Sequence, residues 1–225
     1  MRWRGVLAAC ALLVAACQQP AAAAAEEAVM APAPALKSSE TGTRATAIFA
    51  GGCFWGIEGV FSHTKGVISA VSGYHGGSEA NAKYRTVSGG DTGHAEAVRV
   101  IYNPKEVRYD QLLRIFFSVG ADPTTLNYQG PDHGTQYRSA LVPMNAEQRK
   151  VANAYLAQMG KSGVWSDPIV TKVETYKAFY PAEAYHQDYM LNNPEQPYIV
   201  RWDAPKVAAL KKLYPALYRT TFKTG

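Results

Sequence analysis

The chain is 225 residues long, enough for one domain with a real core and some tail. Its hydrophobic fraction, 47%, is ordinary for a globular protein, and its formal net charge of +5 comes from scattered basic residues. No Lys/Arg run marks a nucleic-acid groove, so the charge balance points to no such partner.

The N-terminus reads as export machinery. Arg2 and Arg4 precede an uncharged apolar run, Val6 to Ala16. A membrane span needs roughly 20 apolar residues, so residues 1–16 are predicted to be a secretory signal and not a span. The run ends "VAAC", Val14 to Cys17, which resembles the lipobox of bacterial lipoproteins. That resemblance implies lipidation at Cys17 and a lipid-anchored periplasmic protein of the bacterial cell envelope. Gln18-Gln19 lacks the acidic residue that retains lipoproteins at the inner membrane, which points to the outer one. If Cys17 is instead incidental to an ordinary cleavage site, the protein is soluble in the periplasm. Removal of Cys10 with the signal and lipidation of Cys17 would leave Cys53 as the one free thiol. A disulfide framework and a cysteine-based zinc site are then excluded.

Residues 17–45 are Ala, Pro, Gln, Glu, Ser and Thr with almost no large apolar groups. They are predicted to be a disordered tether, because they cannot bury enough surface to offset ordering. The catalytic domain is placed at 46–225. "TAIFA", Thr46 to Ala50, reads as a strand that ends at Gly51-Gly52. Phe54, Ile57, Val60 and Phe61 then recur at helical spacing, which puts Cys53 at a strand-to-helix junction. "GVISAVSGY" is a strand, "AEAVRVIYN" another, and "YDQLLRIFFSV" a helix. A long loop, 120–136, follows. "YRSALV" is a strand, "NAEQRKVANAYLAQM" a helix with Asn145 as N-cap, "IVTKVE" a strand and "PAEAYHQDYML" a short helix. The Pro- and Tyr-rich remainder reads as surface wrapping. Mixed strands and helices with irregular loops indicate an α+β domain.

A thiol at a helix N-terminus faces unpaired N–H groups and partial positive charge, which favour the thiolate. Gly51 and Gly52 would permit a tight turn and close approach of a substrate. A buried cysteine at a strand end is equally a common core filler. Phe54 and Trp55 cannot both face one core, so one or both can line an apolar pocket suited to a methyl group. Read as a strand, "TGHAEAVRVIY" puts Glu96 on one face with Val98, Val100 and Tyr102. A carboxyl on that apolar face has a raised pKa and can donate a proton near neutrality. "DHGTQYRS" pairs Asp132 with Tyr137, Tyr84 precedes a Gly-rich loop, and His186 in "AYHQDY" reads as a histidine on a helix face.

Together "GGCFWGIEGVF", "GVISAVSGYHGG", "TGHAEAVRVIYNP", "DPTTLN", "QGPDHGTQYRS" and "AYHQDY" resemble the A-type peptide methionine sulfoxide reductases, in that family's order. The resemblance covers most of residues 46–200. It implies a mixed-sheet two-layer sandwich of the ferredoxin-like kind. It implies Cys53 as nucleophile on the sulfoxide sulfur and Glu96 as the acid that protonates the oxygen. Tyr84 and Tyr137 would hold that oxygen, Phe54 and Trp55 would cage the methyl, and Asp132 and His186 would support them. No bound cofactor is implied. The cysteine sulfenic acid would be recycled by an external thiol, small or thioredoxin-like, because no cysteine follows Cys53 where many family members carry resolving ones. Two other readings use the same residues: a cysteine hydrolase with His94, His133 or His186 as base, and a non-catalytic binding lipoprotein. A zinc deaminase, suggested by "HAE", is excluded because its downstream P-C-x-x-C is missing.

Overall fold

The computed structural model describes residues 28–225. The expected signal peptide, Cys17 and the start of the expected tether lie outside the described residues. Strand β1 (Ala45–Ala50) is apolar on both faces. Ala47 and Phe49 join the main core, while Ile48 and Ala50 join a second cluster on the opposite face. Helix α1 (Phe54–Ser62) leads to β2 (Val67–His75), and β3 (Ala95–Tyr102) pairs antiparallel between β1 and β2. This is a split β-α-β unit. Helix α3 (Tyr109–Ile115), after the single turn α2 (Tyr84–Val87), runs into a π-helical turn, Phe116–Gly120.

The predicted 120–136 loop contains a tight hairpin, β4 (Tyr128–Gln129) against β5 (Asp132–His133). Strand β6 (Ala140–Val142) then pairs with the free edge of β1. Helix α4 (Ala146–Met159) follows, with Asn145 Oδ1 accepting the Gln148 N–H at 2.8 Å as the predicted N-cap. Strands β7 (Lys172–Val173) and β8 (Phe179–Pro181) close the two edges, giving the order β7-β6-β1-β3-β2-β8. Only β6–β7 is parallel among the described pairs. The fold is α+β, a two-layer sandwich on a mixed sheet, as expected.

One face of the sheet carries the large side chains. Phe49 packs on Phe61 and Phe116 at ring-centroid distances of 4.7 and 5.3 Å, with Val98, Leu112 and Tyr155 in the same cluster. The other face is small (Ala95, Ala97, Ala140, Val142) and is covered by Phe179, over which Arg99 lies at 4.9 Å. Tyr102 and Glu96 belong to the large-residue face, as the period of two required.

Three expectations need correction. The described part of the expected tether, 28–44, is docked on the domain. Ala31 is buried, its N–H goes to Ser118 Oγ (3.0 Å), its carbonyl accepts from Arg114 (2.9 Å), and Tyr155 donates to the Pro32 carbonyl (2.8 Å). Backbone hydrogen bonds, which composition does not register, supply what large apolar groups do not. The helix expected in "PAEAYHQDYML" is broken. A 3₁₀ turn, Ala184–His186, and the single turn α5 (Tyr189–Asn192) are separated by Asp188 in the left-handed region at φ +53°. The remainder does more than wrap the surface. A π-helical turn, Ile199–Asp203, leads into α6 (Ala204–Leu213), which packs on α1 and α3 through Leu210, Val60 and Ile115.

Candidate active site

Cys53 is the N-cap residue of α1, half-buried, and it is the one free cysteine among the described residues. The glycines before it explain the turn. Gly52 has φ +88°, and a Cβ there would stand 2.6 Å from Gln129 Cβ. A Cβ on Gly51 would meet Ala121 and the Phe116 ring at 2.6 Å. The close approach expected of a substrate is therefore made by the protein's own 121–133 segment. Gln129 locks that segment. Its Oε1 accepts from Asp122 N (2.9 Å), and its Nε2 donates to Asp122 O (2.8 Å) and Thr125 Oγ1 (2.6 Å). The β4–β5 register then sets Asp132 opposite Gln129.

Glu96 is 2% exposed, and its Oε2 accepts the Phe54 N–H at 3.0 Å. The acid thus caps the helix whose N-cap is Cys53. Burial, followed by the Asp132 and Asp203 charges, pushes it up to about 8 against the pull of that hydrogen bond. The thiol is a correction to the expected thiolate. Burial pushes Cys53 up, and Asp203, Glu96 and Asp132 add to the shift, while the Trp55 N–H alone pulls it down. Burial first, with the neighbouring acids adding to it, outweighs the Trp55 N–H, so the resting site holds protons on both sulfur and Glu96. The two groups titrate as an interacting set.

The aromatic residues divide as the sequence suggested. Phe54 goes into the core, with its ring 5.9 Å from Tyr74 and 5.0 Å from His186. Trp55 stays half-exposed. Its Nε1–H donates to His186 Nδ1 (3.1 Å), and Tyr189 stacks on it at 3.8 Å and 7°. Indole nitrogen is only a donor, so His186 Nδ1 is the acceptor and Nε2 carries the proton. Burial lowers this histidine's pKa, consistent with a neutral ring. Tyr84 and Tyr137 both feel Glu96, Cys53 and Asp132; burial first, then those charges, raise their phenols, which stay protonated donors. Glu183 holds Tyr84 in place, accepting from its N–H (2.9 Å) and from Tyr74 Oη (2.8 Å).

The structure brings Cys53 and Asp132 to one recess; Glu96 is bonded to the Phe54 N–H, Trp55 to His186, and Tyr84 and Tyr137 lie where the Glu96, Cys53 and Asp132 charges reach them. Cys17 lies outside the described residues. The recess has about 240 Å³ of space, counting its open mouth, and is lined by Cys53, Gln129, Asp132, Tyr198, Trp202 and Lys206. A second recess, larger at about 630 Å³ counted the same way, lies between Val29, Phe117 and Trp165 and contains none of these groups. Several residues of the site were not foreseen. Tyr198 donates from its hydroxyl to Asp132 Oδ2, Tyr189 covers Trp55, and the buried Asp203 lies over Gly56 in the first turn of α1. All three come from the C-terminal region read as wrapping or as helix; Tyr189 ends the "AYHQDY" motif without having been given a role, and no motif contained Tyr198 or Asp203.

The histidines a hydrolase would need are engaged elsewhere. His94 bonds the Gly77 N–H and the Ser78 carbonyl, His133 stacks on Tyr128, and His186 serves Trp55. The sulfur is surrounded by carboxyls instead. Among the described residues, no group of three or more His, Cys, Asp or Glu could hold a metal ion. The arrangement can deliver a proton and two phenolic donors to an oxygen beside a sulfur nucleophile.

Comparison with known proteins agrees with that chemistry. A family model described as "Peptide methionine sulfoxide reductase" matches residues 45–216. The chain is 58% identical over 173 residues to peptide methionine sulfoxide reductase MsrA 2 of Mesorhizobium japonicum, covering 77% of this chain and 89% of that one. It is 51% identical over 168 residues to the MsrA protein of Deinococcus radiodurans, covering 75% and 81%. Among solved structures, the reduced form of Mxr1 from Saccharomyces cerevisiae aligns with a TM-score of 0.59 at 34% identity, covering 72% of this chain and 92% of that one. Methionine sulfoxide reductase A of Corynebacterium diphtheriae aligns with a TM-score of 0.58 at 29% identity, covering 78% and 88%.

Proposed function

The chain belongs to the peptide methionine sulfoxide reductases, and from that premise we propose which of its residues perform the reduction. It is an oxidoreductase that converts methionine sulfoxide to methionine and needs no bound cofactor. The sulfoxide oxygen is a poor leaving group until protonated. Glu96, held as the neutral acid by burial, gives it a proton, while Tyr84 and Tyr137 donate hydrogen bonds to the same oxygen. Cys53 sulfur attacks the sulfoxide sulfur and its own proton passes to the emptied Glu96. The oxygen leaves with the cysteine: methionine sulfoxide and thiol become methionine and sulfenic acid. Trp55 accepts the methyl, with Phe54 packed on His186 in the core, and Asp132, steadied by Tyr198, closes the other wall. The handed placement of donors and methyl slot selects the S epimer.

A first external thiol then displaces hydroxide from the sulfenic acid, forming a mixed disulfide and water. A second thiol releases Cys53 and leaves as disulfide. Cys53 is the one free cysteine among the described residues, which supports a reductant from outside, either a thioredoxin-like protein or a small thiol. The substrates are oxidised proteins or free methionine sulfoxide. The N-terminal pattern supports export to the periplasm and a lipid anchor at Cys17, in the outer membrane, with a soluble periplasmic form as the alternative. Incorporation of labelled palmitate, lost in Cys17→Ser, tests the anchor.

The observation that carries the catalytic reading is the shielded Glu96 carboxyl bonded to the residue after Cys53. The experiment supplies each sulfoxide epimer with a small thiol. The expected result is turnover of the S epimer, none in Cys53→Ser, and one added oxygen on Cys53 by mass spectrometry when thiol is omitted. Turnover by Cys53→Ser would end this reading.

A further inference from the structure

Helix α1 carries a carboxyl that the reaction does not use. Glu58 is fully buried. Its Oε2 accepts the Asp188 N–H at 3.1 Å, and its Oε1 accepts the Ser72 N–H at 3.3 Å. The two donors differ in their alternatives. Ser72 N–H also reaches Gln187 Oε1 at 3.1 Å, and Gln187 Nε2 returns a bond to the Ser72 carbonyl at 3.0 Å. The β2 side therefore stays tied without Glu58, whereas the Asp188 N–H goes to Glu58.

Asp188 is where the chain turns. It is one of two described non-glycine residues with positive φ, at +53°. That kink ends the turn bearing His186 and starts the one bearing Tyr189, so both residues face Trp55 from one short segment. Met190 on the same segment packs against Gly59 of α1, where a Cβ would meet its Cε at 2.5 Å. The segment thus sits on the same helix that presents Cys53 and Trp55.

We propose that Glu58 is a positioning residue for substrate. By holding the Asp188 backbone to α1, it fixes the wall that His186 and Tyr189 make against Trp55, and so the width of the slot that takes the substrate's methyl group. This rests on the reading that Trp55 faces that methyl. Burial, then the Asp188 charge, pushes Glu58 up to about 8, so near neutrality it is largely the neutral acid. Its carbonyl oxygen is then what the Asp188 N–H requires, and the carbonyl of a glutamine can replace it.

The test uses the full chain with saturating dithiothreitol and methionine sulfoxide as the varied substrate. Glu58→Leu keeps the volume and removes the acceptor; its KM is expected to rise about tenfold or more, with kcat within about threefold of the parent. Glu58→Gln is expected to restore KM to within about threefold. The rate at which iodoacetamide alkylates Cys53 should be unchanged in both variants. A merely structural role would lower Tm and the active fraction while leaving KM alone, and that result overturns the proposal. So does an altered alkylation rate accompanying the KM change, since α1 itself would then have moved. If Glu58→Leu does not fold, Glu58→Asp, which withdraws the carboxyl by one methylene, is judged by the same KM criterion. Absence of turnover in the parent would sink the reductase reading; parental turnover with an unchanged variant KM sinks this inference alone.

Discussion

Phe54 gives its backbone N–H to the Glu96 carboxyl at 3.0 Å, so the acid of the site is fastened to the residue that follows the nucleophile. Sulfur and acid cannot drift apart without uncapping α1. Glutamine at position 96 would keep the capping carbonyl and lose the proton. Glu96→Gln is therefore expected to fold and to be alkylated at Cys53, while kcat falls by about 10²–10⁴. In the parent, turnover should decline as pH rises through about 8, where Glu96 loses its proton. A pH–rate profile in the variant that still shows this limb would assign it to another group.

The same buried acids set how stability depends on pH. Glu96 and Glu58 are both raised from 4.5 to about 8 in the folded chain. Between those values the folded state holds protons that the unfolded state has released. Their contribution is complete below 4.5 and is lost as pH rises to about 8. Glu174 acts in a separate window: burial opposes it, yet His75 and the Arg138 fork hold it at about 2, so its contribution is lost only as pH falls toward 2. Thermal melts are expected to show Tm falling from pH 5 to 8, by roughly 2–4 °C for each kcal/mol lost. A flat profile over that range would mean that Glu96 and Glu58 are ionised in the fold.

Asp203 is the largest single charge acting on the Cys53 thiol. Alkylation of the parent by iodoacetamide should accelerate only at alkaline pH, above the range of an ordinary cysteine. Removing the charge in Asp203→Asn should move the midpoint of that profile downward. An unmoved midpoint would show that the Asp203 charge does not act on the thiol.

What could be read in the sequence was local. The period of two placed Glu96 among core residues, and the glycines beside two aromatics marked Cys53. The C-terminal half of the site left no comparable trace. Asp188 adopts a positive φ without being glycine, so nothing in "HQDYML" announces the kink that turns His186 and Tyr189 onto Trp55. Asp203 and Tyr198 reach the recess from a π-helical turn before α6, whose burial is confined to few positions. The docking of residues 28–44 depends on hydrogen bonds between distant positions, which composition does not encode.

That docking has a measurable consequence. Glu40 accepts from the Tyr102 hydroxyl with Oε2 and from Gln148 Nε2 with Oε1, the latter at 2.8 Å. Ser38 N–H bonds Asp110 Oδ1 at 2.9 Å. Removing residues 1–44 would leave the buried Tyr102 proton without its acceptor, at about 1–3 kcal/mol. A form beginning at residue 28 is expected to melt several degrees above one beginning at residue 45. Equal melting temperatures would make the segment ornamental.

Gly52 joins the backbone of the nucleophile to the hairpin that carries Asp132. Alanine there would have to hold φ +88°, in the left-handed region, at about 1–2 kcal/mol of strain. Its Cβ would also press on Gln129 Cβ at 2.6 Å, and Gln129 cannot withdraw without breaking its bonds to Asp122 and Thr125. Gly163 supplies the control, with φ +71° and nothing within 4 Å of a new Cβ. Gly163→Ala should therefore show the backbone strain alone, with activity retained. Gly52→Ala should lose more stability than the control and also lose turnover, because the displaced hairpin takes Asp132 and its Tyr198 partner with it. Parallel melts and rates for the two variants decide the point. Equal stability losses with full activity in both would show that the hairpin does not rest on Gly52.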